Sequence, residues 1–200
     1  TKKVDMKALG FRRRSVFNHF SMYVRAFQLD FVQDVEAVAQ IGNIPKEWAR
    51  LRGWPQAKGH PPEQFWRTLV ANCGKDGKNL PVYYSGACEE SFKKGGFESS
   101  AIDTTALINH ERTSIVAQFC RRVQAVTWNR ALIETAGGRL GIVSKDVQKG
   151  DRVCVLYGCS VPVILRESER KTDSVLHKEM DHVFSFVQGL ILEKRRRYRK

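Results

Sequence analysis

Cys154 and Cys159 lie five residues apart across Gly158, and His177 and His182 repeat that interval further on, so four residues of the kinds that hold zinc share one stretch of chain. A structural zinc site needs ligands at short, fixed spacings such as C-x2-C, which neither pair has, and cysteines inside apolar runs are ordinarily small core residues. His177 and His182 also lack the i, i+4 spacing with which two histidines on one helix face hold a catalytic metal. The pattern predicts cysteines in the core, histidines in a solvated segment, and no metal.

The remaining reactive types are equally scattered. Cys88 or Cys120 would act as a nucleophile only if folding brought a base such as His110 to it, because the thiolate is the reactive form. Glu89, Glu90 and Asp103 supply acids, but no histidine or nucleophile stands beside them at a spacing that acid–base chemistry would use. Residues 74–78 superficially resemble a phosphate loop, yet they are too short, lack Ser or Thr after the lysine and follow a helical pattern, which predicts a surface turn. These readings predict a chain that is not an enzyme and takes no cofactor.

Charge is the most unusual bulk property, with a net +13 over 200 residues. Lys194, Arg195, Arg196, Arg197, Arg199 and Lys200 carry +6 of it at the carboxy end, interrupted only by Tyr198. Such a cluster contacts phosphates through a salt-sensitive, sequence-independent attraction, serves as a nuclear-import signal, or is simply a solvated terminus. Five widely spaced cysteines fit a reducing compartment, and the greasiest stretches are broken by charges well short of a membrane span. The chain is therefore expected in the cytoplasm, with the nucleus open through the basic tail. Its start at Thr1-Lys2-Lys3 has no secretory pattern and leads us to expect a piece of a longer protein.

The elements that would position these residues follow from periodicity. Phe17, Phe20, Val24, Phe27, Phe31, Val35 and Val38 recur at intervals of three and four, which predicts a long amphipathic helix from Ser15 to Gly42-Asn43. Arg12, Arg13 and Arg14 precede it, where they oppose a helix dipole and are expected to be solvated or in contact with an anion. Shorter helices are predicted over 44–51, after Pro61-Pro62, around Ser91-Phe92 up to Gly95-Gly96, and from an Asp103 cap through Leu107, Ile115, Phe119, Val123 and Val126. After Trp128 the pattern becomes short β-branched runs at 131–135, 139–143, 152–157, 161–166 and 183–193. Turns of hairpin length, Ala136-Gly137-Gly138 and Gly158-Cys159-Ser160, separate them and predict antiparallel pairing. Gly150-Asp151 suits a tight entry to the central run.

Along these strands Thr135, Gly138-Arg139-Leu140-Gly141, Gly150-Asp151 with the apolar run to Tyr157-Gly158, and Pro162-Val163-Ile164-Leu165-Arg166 follow one another in an order that resembles the carboxy-terminal region of fungal heterokaryon-incompatibility (HET domain) proteins. Upstream, Trp66-Arg67-Thr68-Leu69 is similar to the Trp-Arg-Thr-Leu helix that precedes this region in the family. The last family strand ordinarily carries His-Gly; here Gln188 replaces the histidine before Gly189, and a basic tail follows. The resemblance implies a region downstream of an effector domain that triggers cell death on non-self recognition, with Trp66, Arg67, Thr68, Leu69, Gly141, Gly150, Asp151, Gly158, Pro162, Leu165, Arg166 and Gly189 as structural motif positions. The effector domain's own signature segments are absent from these residues.

Taken together, the sequence predicts an α+β chain whose amino-terminal two-thirds, 1–128, is helical, followed by a small antiparallel SH3-like β-barrel or β-meander at 129–193 and a basic tail at 194–200. The expected role is non-catalytic support or regulation, with the effector domain of the same protein or another protein as partner and no membrane contact. The alternative is a nucleic-acid-binding module that uses the barrel and the basic tail as one positive surface. A cysteine-dependent enzyme would require an exposed, low-pKa thiol beside a histidine.

Overall fold

The segment expected as the long helix is a strand. In the computed structural model, which describes residues 10–14, 19–50, 53–54, 59–95, 99–159, 161–167, 184–189 and 191–192, Ala26–Ala39 forms the 14-residue strand β3. It is preceded by a hairpin of β1 (Gly10–Arg14) and β2 (His19–Tyr23). Valine and phenylalanine favour a strand through their side-chain shape. The helical spacing has a separate cause. The pairing register of β3 shifts between Gln28 and Asp30, between Val32 and Asp34, and between Val35 and Val38. A bulge adds one residue to the two-residue repeat, so Leu29, Val32, Val35 and Val38 fall three apart and still pack into one core cluster. Phe27 and Phe31, which the helical stripe would have buried, are 60% and 41% exposed.

Strand β4 (Ile44–Pro45) pairs with β5 (Ala101–Ile102), and between them lie α1 (Glu47–Arg50), α2 (Glu63–Leu69) and α3 (Tyr84–Lys94). The helix expected from Asp103 through Val126 is two. Asp103 caps α4 (Thr104–His110) by accepting from the Ala106 amide at 2.9 Å. Ser114 caps α5 (Ile115–Thr127) by accepting from the Ala117 amide at 3.1 Å. Each cap satisfies an amide that has no partner within its own helix.

Among the described residues, the strands after Trp128 are β6 (Arg130–Thr135), β7 (Leu140–Ser144), β8 (Arg152–Leu156), β9 (Val163–Glu167), β10 (Phe184–Gly189) and β11 (Ile191–Leu192). The pairs β6 with β7 and β8 with β9 are antiparallel hairpins, as the glycine turns imply. They are not adjacent. The sheet order is β10-β9-β8-β3-β6-β7-β11, so β3 lies between the two hairpins and hydrogen-bonds to both β6 and β8. A helical first two-thirds followed by a self-contained barrel or meander is thus overturned: the central strand of the seven comes from residues 26–39.

The β6–β7 hairpin is buried on both faces, which explains its unbroken apolar run. Leu132, Leu140 and Ile142 join Trp48, Phe65, Leu69, Tyr84, Phe92 and Phe119 in a core between helices and sheet. Ala131, Ile133 and Val143 point the other way, into a cluster with Val32, Val153 and Ile164. The Trp48 Nε1–H donates to the Ala37 carbonyl at 2.9 Å and fixes α1 to β3. Among the described residues no helix is long and apolar enough to cross a membrane.

Candidate functional site

Two carboxylates organise the sheet, and both belong to the segments that carry the motif or pair with it. Asp30 projects from the first bulge of β3. Its oxygens accept from Thr135 Oγ1 at 2.7 Å, the Gly137 amide at 3.0 Å, Arg139 Nη1 at 2.7 Å and the Phe31 amide at 2.9 Å. Thr135 Oγ1 in turn accepts from the Arg139 amide at 3.1 Å. A methyl group on Gly137 would lie 2.6 Å from Asp30 Oδ2, so the first glycine of the turn is required for space. The second, Gly138, has φ +71°, a conformation that side chains disfavour. Burial pushes the Asp30 carboxyl up, but the hydrogen bonds from Thr135, the two amides and Arg139 outweigh it and hold it below the usual carboxylate range. A carboxylate so fully satisfied is a poor general base.

Asp151 is the second. Its side chain is 3% exposed, and Arg166 donates to it from Nε at 2.7 Å and from Nη2 at 2.8 Å. The Gln148 amide donates to Asp151 Oδ2 at 2.8 Å, and Arg166 Nη2 also reaches the Asp146 carbonyl at 2.7 Å. On the main chain, the Gly150 amide donates to the Val32 carbonyl at 2.8 Å, and the Val32 amide donates to the Asp151 carbonyl at 2.9 Å. Gly150, with φ +90°, Asp151 and Arg166 therefore tie the β8–β9 hairpin to the middle of β3.

The other motif positions are also architectural. Trp66 and Leu69 are buried on α2, and Thr68 Oγ1 donates back to the Gln64 carbonyl at 2.7 Å. Arg67 lies over the Trp66 ring and bonds Glu63 at 2.8 Å and Asn72 at 2.8 Å. Gly141 sits opposite Ile133 on one side and Leu192 on the other. Gly158, at φ +92°, turns the β8–β9 hairpin; Pro162 precedes β9, where a missing amide is tolerated, and Leu165 is buried. Gly189 pairs with Val163 in register. The six basic residues Lys194, Arg195, Arg196, Arg197, Arg199 and Lys200 lie outside the described residues, as do His177 and His182.

Cys88 and Cys120 are fully buried, with Cys120 Sγ 3.7 Å from Ser91 Oγ. Burial pushes the Cys88 thiol well above its ordinary value and Cys120 up to about 11. Both are held as thiols, the unreactive form. Cys154 is buried in β8 and its thiol is pushed up by burial, whereas Cys159 is exposed at the hairpin turn. Glu89 pairs with Lys93 at 2.6 Å and His60 at 3.3 Å, and Asp103 serves as a helix cap. Residues 74–78 form a short turn around Lys75–Gly77, closed by the Gly74 amide on the Lys78 carbonyl at 2.9 Å. Among the described residues no group of three His, Cys, Asp or Glu side chains converges in a way that could hold a metal.

A cleft of about 460 Å³ opens between the end of α3, the segment before α4, α4 itself and the start of α5, with Ala101, Ala106, Leu107 and Val116 among its walls. Lys94 at its rim donates to Glu90 at 3.0 Å and Glu111 at 2.9 Å. Asp30 itself is not legible in the sequence as a site residue, because it falls on the expected helix, 105 residues from Thr135. The Gly-Gly turn with Thr135 and Arg139 was the available signal.

The chain matches no family model, no curated protein and no solved structure.

Proposed function

We propose that this chain is a support and regulatory region of a fungal heterokaryon-incompatibility-like protein, which packs against or restrains a HET effector domain in non-self recognition and the programmed cell death that follows. Its partner is that effector domain, and it works through surfaces in the cytoplasm, with the nucleus as a second address through the basic end. One observation carries the reading: the Gly-Asp pair and the Leu-Arg end through which the sequence resembles the family meet as one clamp, Gly150, Asp151 and Arg166, fastened to β3. Residues bound up in this way define a platform, and a platform suits a region that positions another domain. The unreactive state of the buried thiols Cys88 and Cys120 is consistent with the same reading.

The test is to recover the reading frame upstream of Thr1 and co-express its product with this chain as separate polypeptides. Co-purification, with loss of regulated cell death in a fungal host when this chain is omitted, is the expected result. An upstream region without a HET domain, or one that ignores this chain, sinks the reading.

A further inference from the structure

We infer that the end of the sheet formed by Arg25, Phe27 and Tyr157 is a binding surface for single-stranded nucleic acid, and that the aromatic rings, more than the carboxy-terminal charge, give it affinity for bases. The inference is independent of the HET reading.

The pairing register puts these side chains together. Phe27 lies opposite Val155 and Ala26 opposite Leu156. One step further out, the Tyr157 amide donates to the Arg25 carbonyl at 2.9 Å. Side chains alternate along a strand, so Arg25 and Phe27 share a face with Val155 and Tyr157. Deeper in the sheet Val153 and Ile164 are in the core, where Leu29 packs with them. At Phe27 and Tyr157 the surface is open: Phe27 is 60% exposed and Tyr157 72% exposed. The two rings are diagonal cross-strand neighbours, a separation of roughly 7–8 Å that lets each take a base. Arg25 is exposed beside them. Backbone pairing places Arg12, Arg13 and Arg14 opposite Ser21, Phe20 and His19 in the hairpin that leads through Val24 into Arg25.

Charge complementarity selects the occupant. A chain of net +13 attracts a polyanion, and planar rings beside a guanidinium favour a polyanion with flat, unstacked faces. Duplex hides its base faces, and anionic lipid offers none. A single strand satisfies both halves of the surface.

The test uses the full chain and a fluorescent polyuridine or polythymidine probe of about twelve nucleotides, within the span such platforms cover. Fluorescence anisotropy is expected to show salt-dependent binding. Phe27→Leu and Tyr157→Leu, which keep apolar volume but cannot stack, should each weaken binding about tenfold, while Phe27→Tyr and Tyr157→Phe keep it. Removing residues 194–200 should lower affinity yet leave the dependence on both rings intact. A photo-crosslinker on the exposed Cys159, in a Cys73→Ser background, should capture the probe without any change to the rings. Affinity that ignores both leucine variants, absence of crosslinking, equal binding of duplex, or capture by phosphatidylserine vesicles in place of the oligonucleotide would each overturn the inference.

Discussion

Arg166 grips Asp151 with two parallel hydrogen bonds, 2.7 and 2.8 Å long, across 15 residues of chain. The carboxylate is buried and the guanidinium is about one-third exposed, so the two ends of the pair are not equivalent. Removal of the arginine leaves an uncompensated buried charge, whereas removal of the aspartate leaves a cation that water can reach. Arg166→Ala should therefore destabilise the fold by about 3 kcal/mol. Asp151→Asn keeps the shape and some acceptors, and should cost about half as much. Urea unfolding of the two variants checks both the size and the order.

The Asp30 cluster predicts a pH signature. Its carboxyl has a depressed pKa in the folded protein, so the stability it contributes is fully present above the unfolded value of about 3.9 and is lost as pH falls through the lower folded value. The stability difference between wild type and Asp30→Asn should be constant above about pH 5 and shrink steadily below about pH 4. Urea titrations across that range measure it. A difference that grows on acidification would contradict the hydrogen-bond account.

Two glycines should fail for different reasons. Gly137→Ala forces a methyl group to within 2.6 Å of Asp30 Oδ2 and 2.8 Å of Arg139 Nη1, which breaks the cluster and should cost about 2 kcal/mol. Gly150→Ala meets nothing within 4 Å, but its φ of +90° strains any side chain, at about 1 kcal/mol. Thermal melts should rank Gly137→Ala as the more damaging, and Asp30→Ala should remove most of that penalty in the double variant.

Thiol labelling separates the cysteines by environment. Cys159 is exposed and should react first with a disulfide reagent at neutral pH. Cys88 and Cys120, buried and protonated, should react only as fast as the native fold opens. Rapid labelling of either in the native protein would show that α3 and α5 separate more readily than their packing implies.

Local signals carried much of the carboxy-terminal half. Gly137-Gly138 and Gly158 punctuate the chain where hairpins turn, and their strands form where β-branched residues cluster. Asp103 was legible as a cap, whereas the Ser114 cap was masked by apolar residues that keep helical spacing across the break between α4 and α5. The sequence pattern and the structure differ most at β3. Its bulges convert a two-residue repeat into a three-residue one, and Leu29, Val32, Val35 and Val38 then imitate a helix face. Long-range partnerships such as Asp30 with Thr135 and Arg139 leave no local trace, because neither segment needs the other to read as it does.

The placement of β3 between two hairpins also has a consequence for synthesis. Its backbone partners begin at Arg130, with the whole helical layer between, so during translation a long β-prone ribbon leaves the ribosome well before anything exists to pair with it. A nascent chain stopped before β6 would present that ribbon to other chains. The helices can be made in order as they emerge, but the sheet must wait until β6 and β8 have followed them out.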